Sequence, residues 1–154
     1  MDYTLVKTLH ILSATVLFGT GLGIAFFMVR SHFTDDIQQK LYAARNTVLA
    51  DMVFTLPAVT LQPITGAWLV VHGGYGFHEP WLMATYGLYI LAGACWLPVV
   101  WIQIRLKRML QLAANANTPL PARYYRLFRL WFILGWPAFI GLVLVFYLMV
   151  AKAL

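Results

Sequence analysis

The sequence predicts an all-α fold: a four-helix transmembrane bundle formed by one domain over residues 1–154. Three observations lead there. Hydrophobic residues make up 62% of the chain and charged residues only 10%, against roughly 25% charged in soluble globular domains. Four stretches, Thr8–Val29, Met52–Val71, Pro80–Ile104 and Leu130–Ala151, contain no Asp, Glu, Lys or Arg. Each is long enough to cross a membrane, for which a helix needs about 20 apolar residues. Finally, these runs are continuous rather than alternating, which selects helices over a closed barrel.

Span one, Thr8–Val29, has no basic cluster before it and no small-residue cleavage site after it, so it reads as a retained span and not a signal peptide. Helix two starts where the hydroxyl of Thr34 precedes Asp35 and Asp36, a capping residue followed by acids that suit the helix dipole. It runs to about His72, with bends expected near Pro57 and Pro63. Helix three carries on past the membrane through "RLKRMLQLAA", and "NANTPLP" (Asn115–Pro121) ends it. Helix four begins near Pro121. Helices two, three and four therefore extend beyond the bilayer on one side.

Charge sets the expected side. Arg30, Lys40 and Arg45 lie between spans one and two, and Arg105, Lys107, Arg108, Arg123, Arg126 and Arg129 between spans three and four. The link "HGGYGFHEP" between spans two and three has no Lys or Arg. Short basic links stay in the cytoplasm, so the two basic hairpins are expected there, with both termini and the His72–Pro80 link periplasmic. Lys7 and Lys152 can snorkel to that outer interface. The net charge of +6 is thus a topology signal, and nucleic acid is not an expected partner. Cys95, the single cysteine, has no partner in the chain. That excludes an intrachain disulfide and a Cys-based metal cluster, and leaves a buried inert thiol as the plain reading.

Ionisable residues inside lipid are the places to look for chemistry. His10 shares a helical stripe with Ser13, Ala14, Leu17, Gly21, Ala25 and Met28, flanked by Gly19 and Gly23. Small residues let a helix or a flat ligand approach the backbone. His10 therefore either bridges helices, through Thr60, Gln62 or Thr65, or ligates a metal or haem as neutral imidazole. His72 is the better second ligand, His78 the weaker, and His32 reads as a solvated residue on the other side. Trp68, Trp81, Trp101 and Trp131 fit interfacial aromatic belts. Trp96 and Trp136 lie deeper, walling a cavity or filling the core. Asp51, at the inner end of span two, is expected to pair with Arg30, Arg45 or Arg129.

The segments "KTLHILSATVLFGTGLGIAFFM", "ARNTVLADMVFTLPAVTLQPITGAWLV", "GACWLPVVWIQIR" and "RLWFILGWPAF" resemble the bacterial integral-membrane family called domain of unknown function 2269, over nearly the whole chain. A more distant pattern comprises Lys7-x-x-His10, Pro57 with Gly66-x-Trp68-Leu69, and Trp81-Leu82. It is similar to the HemJ-type protoporphyrinogen oxidases and, more broadly, to the copper-resistance D membrane proteins. That resemblance implies b-type haem, with His10 matching the first-span histidine. It also implies a lysine four residues after Trp81, where this chain has Thr85. A hydroxyl cannot supply an ammonium's charge, so haem binding is expected to carry over and oxidase activity is not.

The resulting expectation is a multi-pass protein of the bacterial inner membrane that binds haem b near its outer face. His10 and His72 are the metal ligands, Trp68 and Gly21 border the cofactor, and the role is electron transfer or a haem-linked redox reaction. Its partners would be membrane lipid, quinol or a membrane redox protein, and a second copy of the chain as a homodimer. The alternatives are a HemJ-like oxidase, copper handling by His10, His72, Met83 and Met149, and a cofactor-free accessory or assembly subunit.

Overall fold

The computed structural model describes residues 2–152. Its elements are α1 (Tyr3–His32), α2 (Ile37–Ala50), a π-helical turn (Asp51–Thr55), α3 (Leu56–His72), α4 (Pro80–Ala116) and α5 (Ala122–Ala151). Because α2, the π turn and α3 form one rod, there are four membrane-length rods, as the sequence predicts. Only 11–22% of the residues in their most apolar windows are buried within the protein. Phe26, Phe27, Ile90 and Val150 are among the large side chains that face outward. Such a surface is stable against hydrocarbon and not against water.

Helix two starts two residues later than expected. Asp36 is the cap, accepting from the Gln38 amide at 2.8 Å, while Thr34 accepts from Asp36 N–H at 3.2 Å in the preceding turn. Donation by the Gln38 amide, and then by the Gln39 side chain, holds the Asp36 carboxyl below its ordinary pKa.

The two prolines of this rod act differently. Pro57 offers no N–H to the Val53 carbonyl and its ring crowds that oxygen. The helix widens just upstream, where Leu56 N–H bonds the Asp51 carbonyl five residues back. Pro63 likewise deprives the Val59 carbonyl of its donor, and the Tyr89 hydroxyl of α4 donates to it instead. The two proline sites are thus marked by one π turn and one borrowed hydrogen bond.

The two described ends of the chain meet the last turns of α3 and the α3–α4 link respectively. The Tyr3 ring lies 6.1 Å from Trp68. Lys152, rather than reaching away to the lipid surface, bonds the Tyr75 hydroxyl and sits 4.4 Å over that ring. In the link, Gly74 at φ +74° takes the left-handed conformation that favours glycine. Glu79 accepts from Gly76 N–H at 2.9 Å and from the Trp81 indole at 2.6 Å. Chain ends and link together form the terminal end of the bundle, and the α1–α2 and α4–α5 turns form the hairpin end.

The core sits toward the hairpin end. With 37 residues, α4 is about 55 Å long, well beyond the roughly 30 Å of a hydrocarbon core. Leu106 and Leu110 on its projecting part are fully buried against Leu41 and Ala44 of α2 and Tyr124 and Phe128 of α5. This packing also corrects the reading of His32. It stacks on Phe128 at 4.3 Å, and its Nδ1 is buried without a partner. Asn117, left-handed at φ 50°, ends α4, and Pro119 and Pro121 prevent the helix from resuming.

Candidate functional site

Intramembrane polar side chains gather in two places, on the two halves of the bundle. At the terminal end, His10 of α1 faces α3. Its Nδ1 lies 2.7 Å from the Thr65 hydroxyl, which itself lies 2.7 Å from the Leu61 carbonyl. A carbonyl only accepts, so the single Thr65 proton goes to Leu61 and His10 Nδ1–H donates to Thr65. Gln62 Nε2 donates to the His10 carbonyl at 2.9 Å and to Ser13 Oγ, and Ser13 donates to the same carbonyl at 3.1 Å. Gly66 makes this approach feasible, since a Cβ there would stand 3.3 Å from His10 Cε1. The helix-bridging expectation is met, with Thr65 and Gln62 as partners. Thr60 bonds its own Leu56 carbonyl instead.

The same geometry leaves His10 Nε2 with the lone pair, the tautomer that a metal-ligating histidine needs. His72 shares the pattern: its Nδ1–H donates to the Trp68 carbonyl at 2.9 Å, and its ring stacks on Trp68 at 3.8 Å. The two imidazoles engage different levels of the bundle. His10 lies against Gly66, six residues and about 9 Å of helix rise before His72. Met83 is exposed, while Met149 packs against the cluster of Val70, Trp81 and Leu82. Thr85 is buried and donates to the Trp81 carbonyl. Among the described residues, no group of three or more His, Cys, Asp and Glu could hold a metal ion.

Toward the hairpin end lies a cavity of about 410 Å³ bounded by α1, the π turn, α3, α4 and α5. Gly21 lines it, eleven residues and roughly 16 Å along α1 from His10, so Gly21 and His10 belong to separate regions. Phe18 closes the cavity on the terminal side by stacking on Phe139 at 5.2 Å and meeting Phe146 edge-on at 5.5 Å. Along its length α5 packs on α4 and barely touches α1. Leu22 and Phe26 on one side and Phe132 and Trp136 on the other are exposed around the cavity. They rim an opening on the outer surface of the bundle.

Asp51, on the π turn, stands within the cavity wall and is only 1% exposed. It does not pair with an arginine. Arg30 and Arg129 are exposed, and Arg45, also exposed, donates to Gln111 on α4. Thr55, Gln103 and Trp96 surround the carboxyl instead. Asp51 Oδ2, Thr55 Oγ1, Gln103 Oε1, Trp96 Nε1 and Trp131 Nε1 are enclosed within the cavity wall, and none has a partner at full hydrogen-bond geometry. Trp131 is therefore not a belt residue. The packing of α5 on α4 turns it inward to 5% exposure, whereas Trp101, exposed and 5.2 Å from the Arg105 guanidinium, behaves as expected. Trp96 and Trp136 wall the cavity. Gln103 and Thr55 carry no charge, so a search for ionisable residues passes over them. Their legible signal is an amide and a hydroxyl inside apolar helix.

The profile of a family described as "Predicted integral membrane protein (DUF2269)" matches residues 4–153. The chain belongs to that family. No curated protein and no solved structure matches it. Membership establishes an integral membrane protein and carries no activity with it. The likeness to HemJ-type oxidases and copper-resistance D proteins rests on the sequence patterns alone.

Proposed function

We propose that this family member is a membrane-embedded binding protein that admits a lipid-soluble molecule from the bilayer into the cavity beside Asp51. One observation carries the reading: an almost wholly apolar cavity of about 410 Å³, walled by Phe18, Trp96, Trp136 and Phe139, opens at the outer surface of a bundle of membrane-length helices. An empty apolar space forgoes the dispersion contacts that its lining could make. An apolar ligand of matching shape restores them. The test is to extract bound small molecules from purified wild-type protein and from Gly135→Leu. Gly135 lines the cavity, and a Cβ there would meet nothing within 4 Å. The variant should come away depleted of a compound that the wild type retains; equal content in the two would remove the proposal.

A second reading concerns the terminal end. The free lone pair on His10 Nε2, set by the Thr65 bond, suits axial ligation of haem b and with it the expected redox role. Of the expected cofactor-bordering residues, Gly21 belongs to the other region and Trp68 is covered by His72 and Tyr3. The fit therefore rests on His10 as a single axial ligand. The visible spectrum of purified protein, with metal analysis, decides among the remaining candidates. A Soret band with iron supports haem, copper without that band supports copper handling, and neither leaves His10 as a bridge between helices. If haem is present, His10→Ala should abolish the band or shift it to high spin.

For orientation, the basic hairpins support an inner-membrane placement with the terminal end periplasmic. Reporter fusions after Tyr75 should read periplasmic and those near Asn117 cytoplasmic; the opposite pattern would invert the protein.

A further inference from the structure

We propose that the groove between α1 and α2 is a site for one anionic phospholipid of the membrane leaflet at the hairpin end, with Arg30 holding the phosphate. The groove has a volume of about 940 Å³ and shares only Ile24 with the lining of the Asp51 cavity. The two sites can therefore be filled, and tested, one at a time.

Local sequence opens the groove at headgroup depth. On α2, Ala43, Thr47 and Ala50 recur at helical spacing on one face, too short to fill the space opposite Ile24, Phe27 and Ser31 of α1. Ile24, Phe27 and Ala50 form its membrane side. Arg30, the first charge after the run Thr8–Val29, stands six residues and about 9 Å of helix rise beyond Ile24, toward the hairpin end. Arg45 stands five residues and about 8 Å beyond Ala50 in the same direction. Farther out the lining turns to Thr34, Gln38 and Gln39. Phe27 and Tyr42, 65% and 72% exposed, flank this change from apolar to polar, as aromatic side chains do at a membrane interface.

Charge chooses the head. Arg30 and Arg45 line the groove, and no Asp or Glu among the described residues does. Arg45 is fastened to Gln111 of α4, so it adds field more than contact. Arg30 is exposed and offers its planar fork to a phosphate. Of the neighbouring acids, Asp36 is engaged by the Gln38 amide and the Gln39 side chain, Asp35 is exposed in the link, and Asp51 is enclosed in the wall of the other cavity. Asn46 and Gln39 each give one amide hydrogen within the protein, to the Tyr42 carbonyl and to Asp36. Each keeps a second for a phosphate or glycerol oxygen, and both side chains are exposed. A choline head brings an ammonium that finds no acid in this lining, an uncharged lipid leaves Arg30 unanswered, and a free phosphate leaves Ile24 and Phe27 bare.

The experiment titrates full-length protein in dodecyl maltoside with dioleoyl phosphatidylglycerol and, in parallel, with dioleoyl phosphatidylcholine, which has the same chains and no net charge. Native mass spectrometry counts the lipids retained. We expect one phosphatidylglycerol to bind ahead of all others, and phosphatidylcholine to bind more weakly. Arg30→Gln should weaken that first lipid roughly fivefold, the effect of one cation close to the headgroups. Arg123→Gln and Arg126→Gln remove the same charge from exposed positions on α5 outside the groove and should leave it unchanged. Ala43→Phe fills the groove without altering its charge and should abolish the first binding step; Ala50→Leu repeats that test should Ala43→Phe fold poorly. Glycerol 3-phosphate, a head without chains, should not displace the lipid. Equal losses in Arg30→Gln and Arg123→Gln would reduce the effect to a diffuse attraction of the basic hairpins and overturn the site. Equal binding of the two lipids, or binding that survives both filled variants, would overturn it as well. Displacement by glycerol 3-phosphate would make it a site for soluble phosphates and overturn the phospholipid.

Discussion

The His10 group and the Asp51 cavity are built from the same materials and solve opposite problems. Each sets an ionisable residue, a threonine and a glutamine inside apolar helices. Around His10, ring, hydroxyl, amide and carbonyl are joined in one closed set of bonds between α1 and α3. Around Asp51, carboxyl, hydroxyl and amide are enclosed together, each with an oxygen that no bond at full geometry satisfies. Glycine shows the same division, with Gly66 occupied by a neighbour's ring and Gly93 and Gly135 by nothing. Polar residues in lipid are therefore not a sign of function by themselves; the state of their hydrogen bonds separates a helix clasp from a group with bonding capacity to spare.

The sharpest way to break this contrast is to add volume on both sides. Gly66→Leu has no room beyond its Cβ and should cost about 1–3 kcal/mol of stability through overpacking. Gly135→Ala enters open space and should be neutral or stabilising by up to about 1 kcal/mol through helix propensity. Unfolding of both in one detergent tests this, and equal losses would erase the distinction. Next in size is Thr65→Val, which keeps the shape but leaves the His10 N–H without an acceptor. It should destabilise by roughly 1 kcal/mol, since interhelical bonds within membranes average somewhat less than that and an orphaned donor costs more.

By contrast, Asp51→Asn removes a carboxyl that has an unpaired oxygen, so the unfolding midpoint should not fall; a clear drop would mean that Asp51 holds the fold together as His10 does. The smallest effect is expected at exposed Asp36. Its carboxyl pKa is depressed, so its capping contribution is present above the ordinary value of 3.8 and fades as pH falls through the lower folded value. Protection of the Gln38 amide against exchange, taken relative to its intrinsic rate at each pH, should fall in acid while that of α3 does not, and Asp36→Asn should flatten that response.

The four spans were legible because hydrocarbon thickness imposes a length and excludes charge, and both constraints are written directly in the residues. The shared end of the described chain termini and the α3–α4 link follows from an even number of crossings. The His10 clasp was legible too, since Gln62 and Thr65 are among the few polar side chains available to it in span two. The cavity was not. Charge alone suggested an arginine for Asp51, but a five-residue π turn beside Pro57 determines which way the carboxyl points, and no hydrophobic period marks that turn. Trp131 was misjudged for a related reason. Its position along α5 suits an interface, but the rotation of α5 against α4 decides which way it faces, and that rotation emerges only when the helices pack.

The π turn also makes the molecule sensitive to insertion and deletion. It carries one residue more than the α-helical path it replaces, so Ile37–Ala50 and Leu56–His72 are phased to different surroundings: the first to α4 and α1 together, the second to α1. Deleting a single residue within Asp51–Thr55 would let the rod run as plain α-helix and turn everything before it by about 100° relative to everything after. Leu41 and Ala44 would swing out of the core while the His10 clasp stayed in place. A lost codon here would thus leave the crossing count intact and scramble only the hairpin half. The length sensitivity of this rod is set by that phase, and not by depth in the membrane.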